Sequence, residues 1–185
     1  MKRMKTKTWL GLGALALCAF ASPAKAANLD ITVSISATKS LSLGATFYDF
    51  GASSVNTSVV SGSAVTVTNN SGALVETYTI QGANAPSTEG GTTWTLSSTP
   101  AQDTYALAAQ FATSASSNVD ANWASDDLTT SPITCTSTVL GNGTAGESGA
   151  SVVPSGARNL WFRIKTPTSL TEGGNHKATL TVAVQ

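Results

Sequence analysis

The sequence predicts an all-β fold, an antiparallel β-sandwich of seven to nine strands, and three observations lead there. Apolar residues recur at every second position in one stretch after another, the period of a half-buried strand. Clusters of Gly, Asn, Pro and Ser separate those stretches at the spacing of short strands joined by turns. Charged residues make up only 11% of the chain, and the bulk is Ser, Thr, Gly, Ala, Asn and Val, a composition suited to extracellular β-proteins more than to cytosolic enzymes.

Residues 28–37 alternate without a fault, with Leu29, Ile31, Val33, Ile35 and Ala37 on one face and Asp30, Thr32, Ser34 and Ser36 on the other. Leu41, Leu43 and Ala45 carry the pattern through a second strand, and the cluster Phe47, Tyr48, Phe50 precedes a loop opened by Gly51. Val59 and Val60 suggest a short extra strand. Val65 and Val67 then alternate with Thr66 and Thr68, and Leu74, Tyr78 and Ile80 repeat the period after Asn69-Asn70-Ser71-Gly72, interrupted by Glu76. Asn and Gly supply the positive φ that tight turns need, so residues 65–80 predict a β-hairpin. Thr92, Trp94 and Leu96 mark a further strand. Tyr105, Leu107, Ala109 and Phe111 mark another, in competition with the helix propensity of an Ala-rich run that Asp103 would cap. Residues 113–132 form a long polar excursion carrying Trp123, and a loop of that length is usually functional or hides short elements. Ile133 and Cys135 suggest a brief strand. Residues 141–156 form a glycine-rich connection, and Leu160, Phe162 and Ile164 alternate inward with Trp161, Arg163 and Lys165 outward. Ala178, Leu180, Val182 and Val184 close the chain. This spacing predicts Ig-like or Greek-key connections.

The first 26 residues carry Lys2, Arg3, Lys5 and Lys7 ahead of an uncharged, largely apolar run and an Ala24-Lys25-Ala26 site, which predicts a secretory signal peptide over 1–26 and a single domain over 27–185. Leu17 before Cys18 argues against lipid attachment. With the leader gone, five basic residues face all ten acidic ones, a net charge of −5. That balance disfavours nucleic acid and anionic membranes as partners, and no membrane span is expected after cleavage. Cys135 is then the lone cysteine, without an internal disulfide partner, and a buried free thiol is expected of it.

At Phe50-Gly51 and across residues 62–72 the chain resembles the Ig-like domains related to major sperm protein that recur in bacterial surface proteins, in which a D-F-G turn precedes a strand ending in T-N-x-G. The alternating segments at residues 28–37 and 178–184 are similar, more distantly, to secreted coat and fimbrial subunits. Both resemblances imply a β-sandwich with a structural role at the cell exterior, and neither implies a catalytic residue or a cofactor.

No Gly-x-Ser-x-Gly, His-Glu-x-x-His, Cys-x-x-Cys or phosphate-loop pattern occurs, so the sequence predicts no enzyme and calls for no cofactor. His176, beside Gly174 and Asn175, reads as a solvated turn residue. Asp120, Asn122, Asp126 and Asp127 put hard oxygen donors within one loop, but the spacing departs from a calcium-binding loop, and a solvated loop is the plainer reading. Trp94, Trp123 and Trp161 are the candidates for contacting a partner or a glycan, set against ordinary core packing. Leu29, Ile31, Val33 and Ile35 form a candidate strand-exchange segment: the row either closes the sheet of its own domain or inserts into a neighbour's. The function expected is a secreted structural or adhesive protein of the cell surface, such as a subunit of an extracellular assembly, with itself or other surface proteins as partners. The alternative is a carbohydrate-binding module that holds glycans on exposed tryptophans.

Overall fold

The computed structural model describes residue 33 and residues 37–185. The expected leader, and with it Leu29, Ile31 and Ile35, lie outside the described residues, while Val33 is exposed and not part of a strand. The fold is all-β. Among the described residues its nine strands are β1 (Leu41–Leu43), β2 (Ser58–Val60), β3 (Val65–Asn69), β4 (Tyr78–Gln81), β5 (Thr95–Leu96), β6 (Thr104–Phe111), β7 (Ile133–Thr134), β8 (Ala157–Lys165) and β9 (Thr181–Val184). A single 3-10 turn, Asp120–Trp123, is the one helical element among the described residues.

Strand β8 is the centre of the larger sheet, because its nine residues are long enough to serve two neighbours along one edge. Its first half pairs with β3, from Thr68↔Ala157 to Val65↔Leu160, and its second half with β2, from Val60↔Arg163 to Ser58↔Lys165. Along the other edge β6 runs antiparallel from Phe111↔Leu160 to Ala106↔Lys165. Strand β1 flanks β3, and β5 lies parallel to β6, so the sheet is mixed and not purely antiparallel as expected. The smaller sheet has the order β7-β4-β9. Val65 and Val67 of β3, Leu107, Ala109 and Phe111 of β6, Leu160 and Phe162 of β8, and Tyr78 and Ile80 of β4 meet in one core. The two-residue period thus delivers its apolar faces to a common interior.

The alternation of residues 104–111 wins over helix propensity, since a strand buries Tyr105, Leu107, Ala109 and Phe111 together and a helix would spread them around its axis. The expected hairpin at residues 65–80 does not form. Strand β3 belongs to the larger sheet and β4 to the smaller, so residues 69–77 carry the chain from one sheet to the other. No residue between 69 and 77 takes a positive φ, as a tight two-residue hairpin turn would require. The fully buried Asn69 side chain instead donates to the carbonyls of Leu74 and Val152, each at 2.8 Å, and accepts from the Ser71 amide at 2.8 Å. Side-chain chemistry that reads as a turn signal here pins a crossover.

Two further expectations are corrected. Leu43 and Ala45 are exposed, because β1 is a short edge strand and only Leu41 reaches the core. Arg163 points outward from β8 as its place in the alternation requires, but it is 4% exposed, because residues 113–132 fold over that face. Cys135 directly follows β7 and is buried against Gly149 and Phe111. Burial, with a smaller push from the Asp126 charge, raises its thiol to about 12 and keeps it protonated and unreactive near neutral pH. Among the described residues no helix is long and apolar enough to cross a membrane.

Candidate functional site

The outer face of the β6–β8 pair is where polar chemistry collects. Strand alternation puts Ala106, Ala108 and Gln110 of β6 on that face beside Trp161, Arg163 and Lys165 of β8. Three short or polar residues on a strand leave room for a covering layer, and the 113–132 excursion supplies it. Leu128 N–H donates to the Leu107 carbonyl at 2.8 Å and Ala109 N–H to the Asp126 carbonyl at 3.0 Å, so residues 126–128 run along the free edge of β6. Arg163 Nε donates to Ser58 Oγ at 2.9 Å and to Asn118 Oδ1 at 3.0 Å, and its guanidinium pairs with Asp120. Lys165 Nζ reaches the same Asp120 carboxylate at 2.8 Å. Hydrogen bonds from Lys165 and Arg163 lower the Asp120 carboxyl to about 2. Asp120 itself is exposed, so this pair locks the excursion in register and adds little stability of its own.

Under the excursion Gln110 and Asp126, each 2% exposed, form a hydrogen-bonded pair. Gln110 Nε2 donates to Asp126 Oδ2 at 2.7 Å and to the Asn122 carbonyl at 2.9 Å, and Gln110 Oε1 accepts from Ser116 Oγ. The other carboxylate oxygen of Asp126 accepts from the Gly141 amide at 3.2 Å. Above this pair opens a cleft of about 320 Å³ between the excursion, through Asn122, Ala124 and Ser125, and the loop of Thr138, Gly141 and Asn142. Burial raises the Asp126 carboxyl to about 6, against the lowering effect of its hydrogen bonds from Gln110 and from the Gly141 and Leu140 backbone.

A carboxyl raised on folding has a defined pH signature. Between about pH 4 and 6 the folded chain holds a proton on Asp126 that the unfolded chain has released, so this group's contribution favours folding at pH 4 and is lost as the pH rises to 6. A rise of that size is worth roughly 2–3 kcal/mol. Asp120 works in the opposite direction, its stabilisation disappearing as the pH falls towards 2. The clean measurement is therefore the difference between the wild type and Asp126→Asn in denaturant melts at pH 4, 5, 6 and 7. The variant is expected to gain on the wild type with rising pH up to 6 and to run parallel above it; parallel curves throughout would show the carboxyl to be unperturbed.

The structure separates the residues that sequence reasoning grouped. Trp123 is 1% exposed, its indole N–H donating to the Ser117 carbonyl at 3.0 Å, so it offers no face for stacking. Trp161 is half-buried on the outer face, its N–H donating to the Ala112 carbonyl at 3.0 Å. Trp94 is half-buried against the inner core, tilted on Tyr105 at 6.2 Å between ring centroids. The three tryptophans do not make an exposed platform. His176 is no solvated turn residue: its ring stacks on Trp94 at 3.9 Å, and its Nε2 lies 2.9 Å from the Thr92 carbonyl. The calcium reading is likewise not supported, because Asp120 is committed to Arg163 and Lys165 and Asp126 to Gln110. Asp127, its carboxyl raised by burial, lines the outer face with Arg163 and Lys165. No group of three or more His, Cys, Asp or Glu side chains among the described residues is placed to hold a metal ion.

Sequence reasoning missed Gln110 and the cleft above it. The available signal was the outer face of β6, where Ala106 and Ala108 are small for a solvated strand surface and leave room for a covering layer over Gln110. Comparison with known proteins found no protein family, no curated protein and no solved structure that matches the chain.

Proposed function

We propose that the chain is a secreted structural or adhesive protein of the cell exterior, built as an Ig-like β-sandwich, and that it assembles by strand addition at a sheet edge. The observation that carries this reading is the state of the last strand. Among the described residues β9 is hydrogen-bonded to β4 and to no other strand, and Val182 and Val184 on its inner side, with Leu180 just before it, pack on the core while remaining only half-buried. An edge with unpaired backbone groups above a half-covered apolar row is a template for another strand. The row Leu29, Ile31, Val33 and Ile35 has the chemistry to serve it: branched aliphatics at every second position, with small polar residues between them. Supplied by its own chain, that row closes a domain; supplied by a second copy, it links subunits head to tail. The leader-like residues 1–26 and the acidic balance of the remainder support an extracellular setting.

The test compares protein starting at Ala27 with protein starting at Lys39, by sedimentation velocity and circular dichroism at micromolar concentration. The longer form is expected to assemble. The shorter one is expected to stay folded and monomeric, and to bind an added peptide of residues 28–37. A shorter form that unfolds, or a longer form that stays monomeric at every concentration, would place the strand within its own domain and remove the assembly reading.

A further inference from the structure

We propose that the cleft above Gln110 and Asp126 is a binding site for a neutral saccharide, held by hydrogen bonds and not by aromatic stacking. Gln110 and Asp126 are the two buried polar side chains at the base of an opening that reaches solvent, where an apolar pair would have closed the gap between the excursion and β6 at lower cost. Their mutual bond leaves hydrogen-bonding capacity unused, since a carboxylate has about four acceptor positions and the donors from Gln110, Gly141 and Leu140 fill three. On the walls, the hydroxyls of Ser125 and Thr138 make no hydrogen bond among the described residues, while Ala124, Gly141 and Gly143 keep the mouth wide. The volume stands at the lower end of the range for small-molecule sites.

The lining also selects the ligand's chemistry. Apolar ligands lose hydrogen bonds on entering a cleft of amides and hydroxyls and gain no aromatic surface in return. Anions meet the Asp126 carboxylate at the floor and Glu147, which holds Asn142 Nδ2 at 2.8 Å, behind the rim. A divalent cation needs several oxygens turned towards it. Here the Gln110 and Gly141 N–H groups already point at the Asp126 oxygens, and Asp120 and Asp127 face Arg163 and Lys165 instead. A ring bearing several hydroxyls, each both donor and acceptor, suits a wall of hydroxyls over a carboxylate and amide pair. This site lies on the excursion, whereas the assembly reading rests on β9, so either stands if the other fails.

The experiment screens the full chain against an array of neutral, acidic and amino mono- and oligosaccharides, followed by titration calorimetry of the positive ligands and of calcium chloride alone. The expected result is micromolar to millimolar binding of a neutral saccharide, weakened at least about tenfold by Ala124→Trp, which fills the mouth from an exposed position, and by Asp126→Asn. Independently of any variant, amide shifts in the nuclear magnetic resonance spectrum on adding that sugar should centre on Gly141, Gly143 and the Gln110 side-chain amide. No neutral saccharide binding, binding with shifts centred elsewhere or unaffected by Ala124→Trp, or calcium binding lost in Asp126→Asn would each overturn the proposal.

Discussion

Replacing Asn69 by Ala is expected to cost about 3–4 kcal/mol of folding stability, as much as removing a large core side chain. The Asn69 side chain is fully buried and makes three bonds: donations to the Leu74 and Val152 carbonyls and acceptance from the Ser71 amide. The Ser71 hydroxyl also lies 2.6 Å from Asn69 Oδ1, so its position is set by the same group. Alanine would leave the buried Ser71 amide with no partner, at roughly 1–3 kcal/mol, and would remove two further bonds worth about 1 kcal/mol each, although the Leu74 carbonyl keeps the Ser71 hydroxyl and the Val152 carbonyl keeps the Glu76 amide. Asn70, one position on, is exposed, and Asn70→Ala is expected to change stability by no more than about 0.5 kcal/mol. Denaturant melts of both variants provide the check. The contrast between neighbours is the informative quantity, because a surface hairpin turn would give two small and similar values.

That pair of residues also marks where the sequence stopped being legible. The period of two in Val65, Val67, Tyr78, Ile80, Leu107, Phe111, Leu160 and Phe162 is a local property, and the strands it predicts are present. Which strand pairs with which is not local. Strand β3 takes β8 as its partner from the far end of the chain, and Asn69 holds Val152 across 83 residues, so turn chemistry at residues 69–72 is compatible with a hairpin until the partner is known. The parallel β5–β6 contact escaped for the same reason: two residues, Thr95 and Leu96, carry no pattern long enough to assign a direction.

The candidate site was legible in its parts and not in its arrangement. Asp126 stood out as an oxygen donor in a long polar loop, and Trp123 as an aromatic in the same loop, but neither residue type says whether it faces solvent. What decides is the strand beneath. Ala106 and Ala108 let the excursion approach β6 closely, and Gln110 offers the one side-chain amide there that bonds both Asn122 and Asp126. Arg163 shows the same logic from the other strand. Alternation gave its direction correctly, and burial followed from a layer that the alternation of β8 cannot reveal.

Trp123→Ala separates a covering layer from a ligand-binding surface. As an exposed contact residue, Trp123 would be lost at little cost to stability and at large cost to binding. As a buried anchor of the excursion, its removal is expected to cost about 3–5 kcal/mol, the range for truncating a buried aromatic. The loss should be felt first where the excursion meets the sheet. The Leu128 amide, bonded to the Leu107 carbonyl, and the Ala109 amide, bonded to the Asp126 carbonyl, are expected to exchange with deuterium much faster in the variant. Amides of the β3–β8 ladder, on the far edge of β8, should show only the global destabilisation. Trp123→Phe keeps an aromatic ring in the same space but loses the N–H bond to Ser117, and should fall between the two. Hydrogen exchange with and without a bound saccharide then assigns the site: protection gained at Gly141 and Asn122 in the wild type and lost in Trp123→Ala, with the ladder unchanged, is the pattern of a cleft that Trp123 shapes without touching its ligand. A Trp123→Ala protein as stable as the wild type, within about 1 kcal/mol, would mean that the indole is not the anchor of this layer.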